Sequence, residues 1–184
     1  MSRYLLPLLL VALLSACASL DGPAFTVGST TQAEVVARRG APAMHWQEPD
    51  GGNLFAYPSG PNGTSTIMAG FDRQQRLLFY KEVLNVEHFS KIQAGMSMDE
   101  VMRLIGPPYA SWTTYFSARD ELAWEWRYCN DWNQASRFNV LFDSTSKKVR
   151  STLSLTESQV FGYRSNPPCG HVYIKLGPAA FGSR

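Results

Sequence analysis

Two stretches of the chain share one rhythm of apolar and polar positions. Residues 28–42 read GSTTQAEVVARRGAP and residues 95–108 read GMSMDEVMRLIGPP. In the second, Met98, Val101, Met102 and Ile105 fall at i, i+3, i+4 and i+7, the apolar stripe of a helix packed on one side. "TQAE" and "SMDE" are capping boxes, in which the hydroxyl accepts from an early backbone N–H and the Glu reaches back to the cap. Gly40 and Gly106 stand where a left-handed residue would end each helix, and Pro42 and Pro108 forbid its continuation. The first copy carries Arg38 and Arg39 where the second has Leu104 and Ile105, so the first helix is expected to lie shallower and more exposed at its end.

After each helix the period changes to two. "GNLFAY" and "LAWEWRYC" read as strands. Hairpins follow in which "STIMAGFD" turns into "LLFYKEVL" and "SRFNVLFD" into "KVRSTLSL". A shift of 66 lays Thr31 on Ser97, Glu34 on Glu100, Val35 on Val101, Gly40 on Gly106 and Trp46 on Trp112. At Phe71-Asp72 and Phe142-Asp143 the shift has grown to 71, which places an insertion of five residues in "TTYFSARDEL", residues 113–122. A late segment, "HVYIKL" (171–176), alternates as a short strand would. No low-complexity linker parts the copies, so one continuous unit is expected.

The N-terminus carries a different pattern. Arg3 precedes an apolar run of ten residues, Leu5 to Leu14, too short to span a bilayer as a helix but suited to the core of a signal peptide. "LSAC" follows and resembles the bacterial lipoprotein box. That resemblance implies cleavage before Cys17, a diacylglycerol on its thiol and an acylated amine, with palmitate-type chains giving stable anchoring. Ala18 and Ser19 follow in place of the Asp that retains lipoproteins at the inner membrane, so the implied address is the periplasmic face of the outer membrane.

Removal of residues 1–16 leaves 168 residues with 16 Lys+Arg against 15 Asp+Glu. So even a balance argues against a nucleic-acid footprint. With Cys17 taken up by the anchor that the box implies, Cys129 and Cys169 remain in a compartment where disulfides persist, and their pairing is predicted. Neither has a CxxC partner that would favour a metal or a catalytic thiol instead.

At "KIQAGMSMDEVMRLIGPP" the chain resembles the BamE/SmpA family of outer-membrane lipoproteins. The shared pattern is a helical lead-in, Gly, Met-Ser, Glu-Val and Gly-x-Pro, then a Trp-bearing strand and a Phe-Asp hairpin. It covers residues 89–155 well and 27–84 less well. Two tandem copies are also similar in architecture to β-lactamase inhibitor protein, whose sheets form one curved surface. Both resemblances imply an α+β fold: two tandem repeats, each a short helix or helix–loop–helix followed by an antiparallel sheet of three to four strands. The implied division is a signal peptide at 1–16, a lipidated tether at 17–26, repeats at 27–86 and 87–156, and a tail at 157–184 tied back by the disulfide.

Patterns that carry chemistry are sparse. His45, His88 and His171 lack metal-ligand spacing, and no nucleophile elbow or phosphate loop occurs. Glu121 and Glu125 share a strand face, but two solvated glutamates beside Arg119 and Arg127 is the plainer reading. No enzyme, cofactor or metal is expected. Trp124, Trp126 and Tyr128 point to one side of a strand, either under the helices as core or on an open concave sheet as binding anchors. Tyr115 and Phe116 in the inserted loop, and Trp132 in "CNDWNQ", are contact candidates unless their loops fold back over them. The expectation is a lipid-anchored periplasmic binding or scaffold protein related to outer-membrane assembly or envelope integrity. It would have protein partners in the envelope and no nucleic-acid partner. The alternative is a periplasmic inhibitor or ligand binder with a concave double sheet.

Overall fold

The structure is a computed structural model and describes residues 24–60, 62–162, 164, 168 and 169. Cys17, His171 and the expected strand at 171–176 lie outside the described residues. Helix α1 (Gln32–Arg39) precedes a meander of β1 (Met44–Gln47), β2 (Asn53–Pro58), β3 (Thr66–Phe71) and β4 (Leu77–Glu82). A single-turn α2 (Val86–Phe89) and α3 (Met98–Ile105) precede a second meander of β5 (Thr114–Phe116), β6 (Glu121–Cys129), β7 (Ala135–Asp143) and β8 (Val149–Thr156). A last short helix, α4 (Glu157–Phe161), follows directly. The expected α+β class and the two tandem antiparallel units are present, each sheet having four strands in sequence order.

The capping signals determine local structure as the pattern predicts. Thr31 and Ser97 each accept from the N–H three residues on, while Glu34 and Glu100 return to the cap N–H at 2.7 and 2.6 Å. Those two hydrogen bonds lead the causes that hold both carboxyls below the usual value. Both helices end at a glycine with positive φ, but not in the left-handed helical region. Gly40 has φ 84° and ψ −174°, and Gly106 has φ 76° and ψ −179°, a region essentially confined to glycine. There the chain straightens at once toward the following proline.

The two copies repeat down to their irregularities. The third-to-fourth strand hairpins both carry a register shift, at Gly70/Phe71 and at Leu141/Phe142. Each helix start is stitched to its own last strand: Gly28 N–H donates to Leu77 O, and Gly95 N–H to Val149 O. The five extra residues are not one insertion. Strand register sets Thr114 in the place of Trp46, an offset of 68, then Ala123 in that of Leu54 (69) and Val140 in that of Ala69 (71). The excess is spread over three connections, and part of the expected loop at 113–122 is the edge strand β5. Trp112, matched to Trp46 by sequence, sits instead on a 3-10 turn at Ala110–Trp112.

The layers stack as α1, sheet 1, α3, sheet 2. Val35 of α1 packs on Phe55, Ala69, Phe71 and Leu77, one face of sheet 1. Its other face, carrying Trp46, Leu54, Ala56 and Met68, joins a larger core with Val101 and Ile105 of α3 and with Trp126, Phe138, Val140 and Phe142 of sheet 2. Polar links hold the same junction: Trp46 Nε1 donates to Asp99 Oδ1 at 2.8 Å, and Arg103 bridges Asp99 and Glu48 at 2.6 Å each. Phe89 of α2 stacks on Phe138 at 3.9 Å. The sheets therefore share a core through α3 and do not join edge to edge, so the one curved surface implied by the inhibitor-like architecture is not formed. The expected boundary at 86/87 falls inside α2, and Glu157, assigned to the tail, is buried.

Candidate interaction surface

The segment after α3 is where the copies differ most. Its counterpart in the first copy is β1, with Trp46 in the core. In the second copy the Gly106-Pro107-Pro108 exit leads through the 3-10 turn to β5, and Tyr109, Trp112, Tyr115 and Phe116 all stay at least partly exposed. Tyr109 and Trp112 meet edge to face at 4.9 Å. With Pro58, Pro107, Pro108 and Trp126 they line a cleft of about 160 Å³ at the junction of the repeats.

Register accounts for that exposure. β5 is an edge strand of three residues, and among the described residues it pairs only with β6 and no element covers it. Tyr115 is 54% and Phe116 42% exposed. Tyr115 Oη donates to Asp120 Oδ1 at 3.1 Å, and Arg119 lies over the Phe116 ring at 5.3 Å, so both rings are positioned rather than buried. Trp132, on the β6–β7 turn, is 83% exposed. That turn is tied by the Cys129–Cys169 disulfide, with Cα atoms 5.7 Å apart, and by the Cys169 N–H to Asn133 O bond.

Of the β6 tryptophans, Trp126 takes the core alternative and Trp124 lies between the two. Trp126 is buried, its indole N–H donating to Gly106 O at 3.2 Å, so it is core with only an edge on the cleft. Trp124 is half-buried against Phe142 at 4.9 Å. α3 covers the face on which these residues and Tyr128 lie, so it is not an open concave sheet.

Behind the cleft, the outer face of sheet 2 holds a buried charge cluster that strand-by-strand reading missed. Arg127 and Arg137 are directly opposite on β6 and β7, an arrangement that would repel. Glu157 of α4 accepts from both, at 2.7 and 2.8 Å from their Nε atoms, and Glu125 accepts from Arg137 at 2.7 Å. Arg137 also lies over Trp112 at 4.0 Å and Phe161 at 5.3 Å. Arg127 reaches across to Asn62 O of the first repeat at 2.8 Å. Burial by itself would raise the Glu157 carboxyl, but hydrogen bonds and charge from the two guanidiniums outweigh it and hold the group below its usual value. Glu125 is shifted upward, because desolvation exceeds the pull of Arg137. Glu125 is thus neither solvated nor paired with Arg127, as the plain reading had it; Glu121 does meet Arg119, at 2.8 Å. The readable signal was T-E-S-Q at 156–159, a third capping box, which starts α4.

Among the described residues, no cluster of three His, Cys, Asp or Glu is placed to hold a metal, and no helix is long and apolar enough to cross a membrane. His45 is exposed, edge-on to Phe55, whereas His88 is buried with Nδ1 2.9 Å from Asn85 Oδ1. Comparison with protein families, curated proteins and solved structures finds no match to this chain.

Proposed function

We propose that this is a lipid-anchored periplasmic scaffold of the outer membrane, which recruits a protein partner through the aromatic segment 109–116. The supporting observation is the exposure of Tyr109, Tyr115 and Phe116 beside the half-buried Trp112, held on a framework of two interlocked repeats. Rings of this kind provide large contact area at low entropic cost, and such anchors dominate binding energy at interfaces. The reading of Cys17 as the anchor rests on the "LSAC" motif.

Ala24 lies seven positions after Cys17, a reach of at most roughly 25 Å. Ala24 lies beside Thr26, Thr30, Glu34, Ala37 and Arg38, at the α1 end of the stack. Under this reading α1 faces the membrane and the second repeat stands away from it, available to envelope proteins. Tethering raises effective concentration, so modest affinity suffices.

Photo-crosslinking from position 115 in intact cells tests the reading. The native chain should capture a defined envelope protein. Tyr115→Ala with Phe116→Ala, crosslinked from Trp112 instead, should lose it, and Cys17→Ser should reduce it strongly. Equal capture by all forms would refute both the surface and the anchor.

A further inference from the structure

Each sheet has two edges, and they are not equally guarded. β1 has four residues and β5 three. β4 carries Lys81 and Glu82 at its end; Phe25 packs on the Tyr80 ring at 4.9 Å, and Arg39 bonds its hydroxyl. β8 has eight residues, and among the described residues only Val149 at its start is covered, by exchanging backbone hydrogen bonds with Gly95 and Met96. Beyond the register shift, no backbone hydrogen bond reaches the outward groups of residues 151–155 among the described residues. Side chains from Arg150 to Ser154 are all exposed, and STLSLT, residues 151–156, contains neither a charge nor a proline. Natural edges are normally blunted by one of those devices, and an edge without them is a template for another strand.

We infer that β8 pairs with β8 of a second copy of this chain, antiparallel about Leu153, joining two four-stranded sheets into one of eight. The sequence is self-complementary in that register. Leu153 meets Leu153 of the second copy, Thr152 meets Ser154, Ser151 meets Leu155, and Arg150 meets Thr156. No like charges oppose, the Thr152 and Ser154 hydroxyls face each other, and the leucines meet on the outer face opposite Asn139, where Leu153 is now 45% exposed. Directly opposed apolar and hydroxyl pairs are favourable cross-strand neighbours. A two-fold contact of this kind is closed, so it ends at a dimer rather than a fibre. The inference goes beyond the proposed function and does not depend on the identity of its partner.

Register-specific crosslinking of the full mature chain tests it, with Cys17→Ser leaving no free thiol once Cys129 and Cys169 are paired. Leu153→Cys should form an interchain disulfide on mild oxidation, whereas Thr152→Cys and Ser154→Cys singly should link at least tenfold less. Sedimentation should show a concentration-dependent dimer, weakened at least tenfold by Leu153→Lys, with an unchanged circular dichroism spectrum showing that the variant folds. A monomer at millimolar concentration would overturn the inference, as would equal crosslinking at all three positions. Dimer formation only after removal of residues 170–184 would also overturn it, since the chain's own end would then occupy the edge.

Discussion

The back faces of the two sheets occupy the same place in their repeats and are built oppositely. Sheet 1 presents Trp46, Leu54, Ala56 and Met68, and α3 lies on them. At the matching positions sheet 2 has Thr114, Ala123, Glu125 and Asn139, flanked by Arg127 and Arg137. The apolar back face is covered by the apolar stripe of the following helix α3, whereas the charged one is closed by the short α4 through Glu157. The first copy is thus an incomplete unit that the second completes, and the second ends the stack with its ion cluster and α4. Stacked repeats commonly finish in such a polar terminal face. This is what two copies achieve and one cannot: a small sheet with a single helix leaves half its apolar surface wet.

Substitutions break this contrast at different depths. Glu157→Gln should be the most damaging, about 3–5 kcal/mol in urea unfolding, because it leaves Arg127 and Arg137 buried and opposed. The two helix-terminal glycines come next. An added Cβ at Gly40 meets nothing within 4 Å, whereas at Gly106 it would lie 2.6 Å from Thr66 Cγ2 of the other repeat. Gly40→Ala should therefore cost only backbone strain, about 1–3 kcal/mol. Gly106→Ala should cost roughly that plus about 1–3 kcal/mol of overpacking, read from the difference in midpoint.

A smaller effect concerns pH at the link between the copies. Burial pushes the His88 imidazole down from its usual value, helped by Lys91 and Lys81 and opposed by Glu87, so the folded chain holds it neutral. The unfolded chain takes up that proton first, so this contribution to stability is whole above about pH 6.5 and falls as pH drops toward the lowered folded value. His88→Gln should flatten that slope in thermal scans between neutral and mildly acidic pH. The smallest effect is expected at the proposed contact surface. Tyr115→Ala with Phe116→Ala should shift the melting midpoint by less than about 1 kcal/mol equivalent, because neither ring is buried. A larger loss would make β5 a structural element.

What could be read in the sequence was what is local. Thr31, Glu34, Ser97 and Glu100 are three residues apart, and their capping boxes form within their own turns. Hairpin positions followed from alternation with Phe-Asp at the turn. What could not be read depends on distant partners. Gly106 looks like one more helix end until Thr66 is found against it, and Arg127 looks solvated until α4 brings Glu157 to it. The two tryptophans aligned at Trp46 and Trp112 also misled. Pairing in the sheet, not identity of residue, shows that Thr114 is the counterpart of Trp46. The aromatic segment followed the same logic. Tyr115 and Phe116 could be named as exposed or folded back, but only the unpaired edge of β5 decides between the two.

Sheet 1 depends on α3 to cover its second apolar face, so the repeats should unfold as one. Hydrogen exchange followed residue by residue in increasing urea measures this directly. A single unit requires amides of β2–β3 and β6–β7 to lose protection at a common midpoint, and Met68→Ala in sheet 1 should lower that midpoint equally for both sheets. Separate midpoints, or a Met68→Ala effect confined to sheet 1, would contradict it.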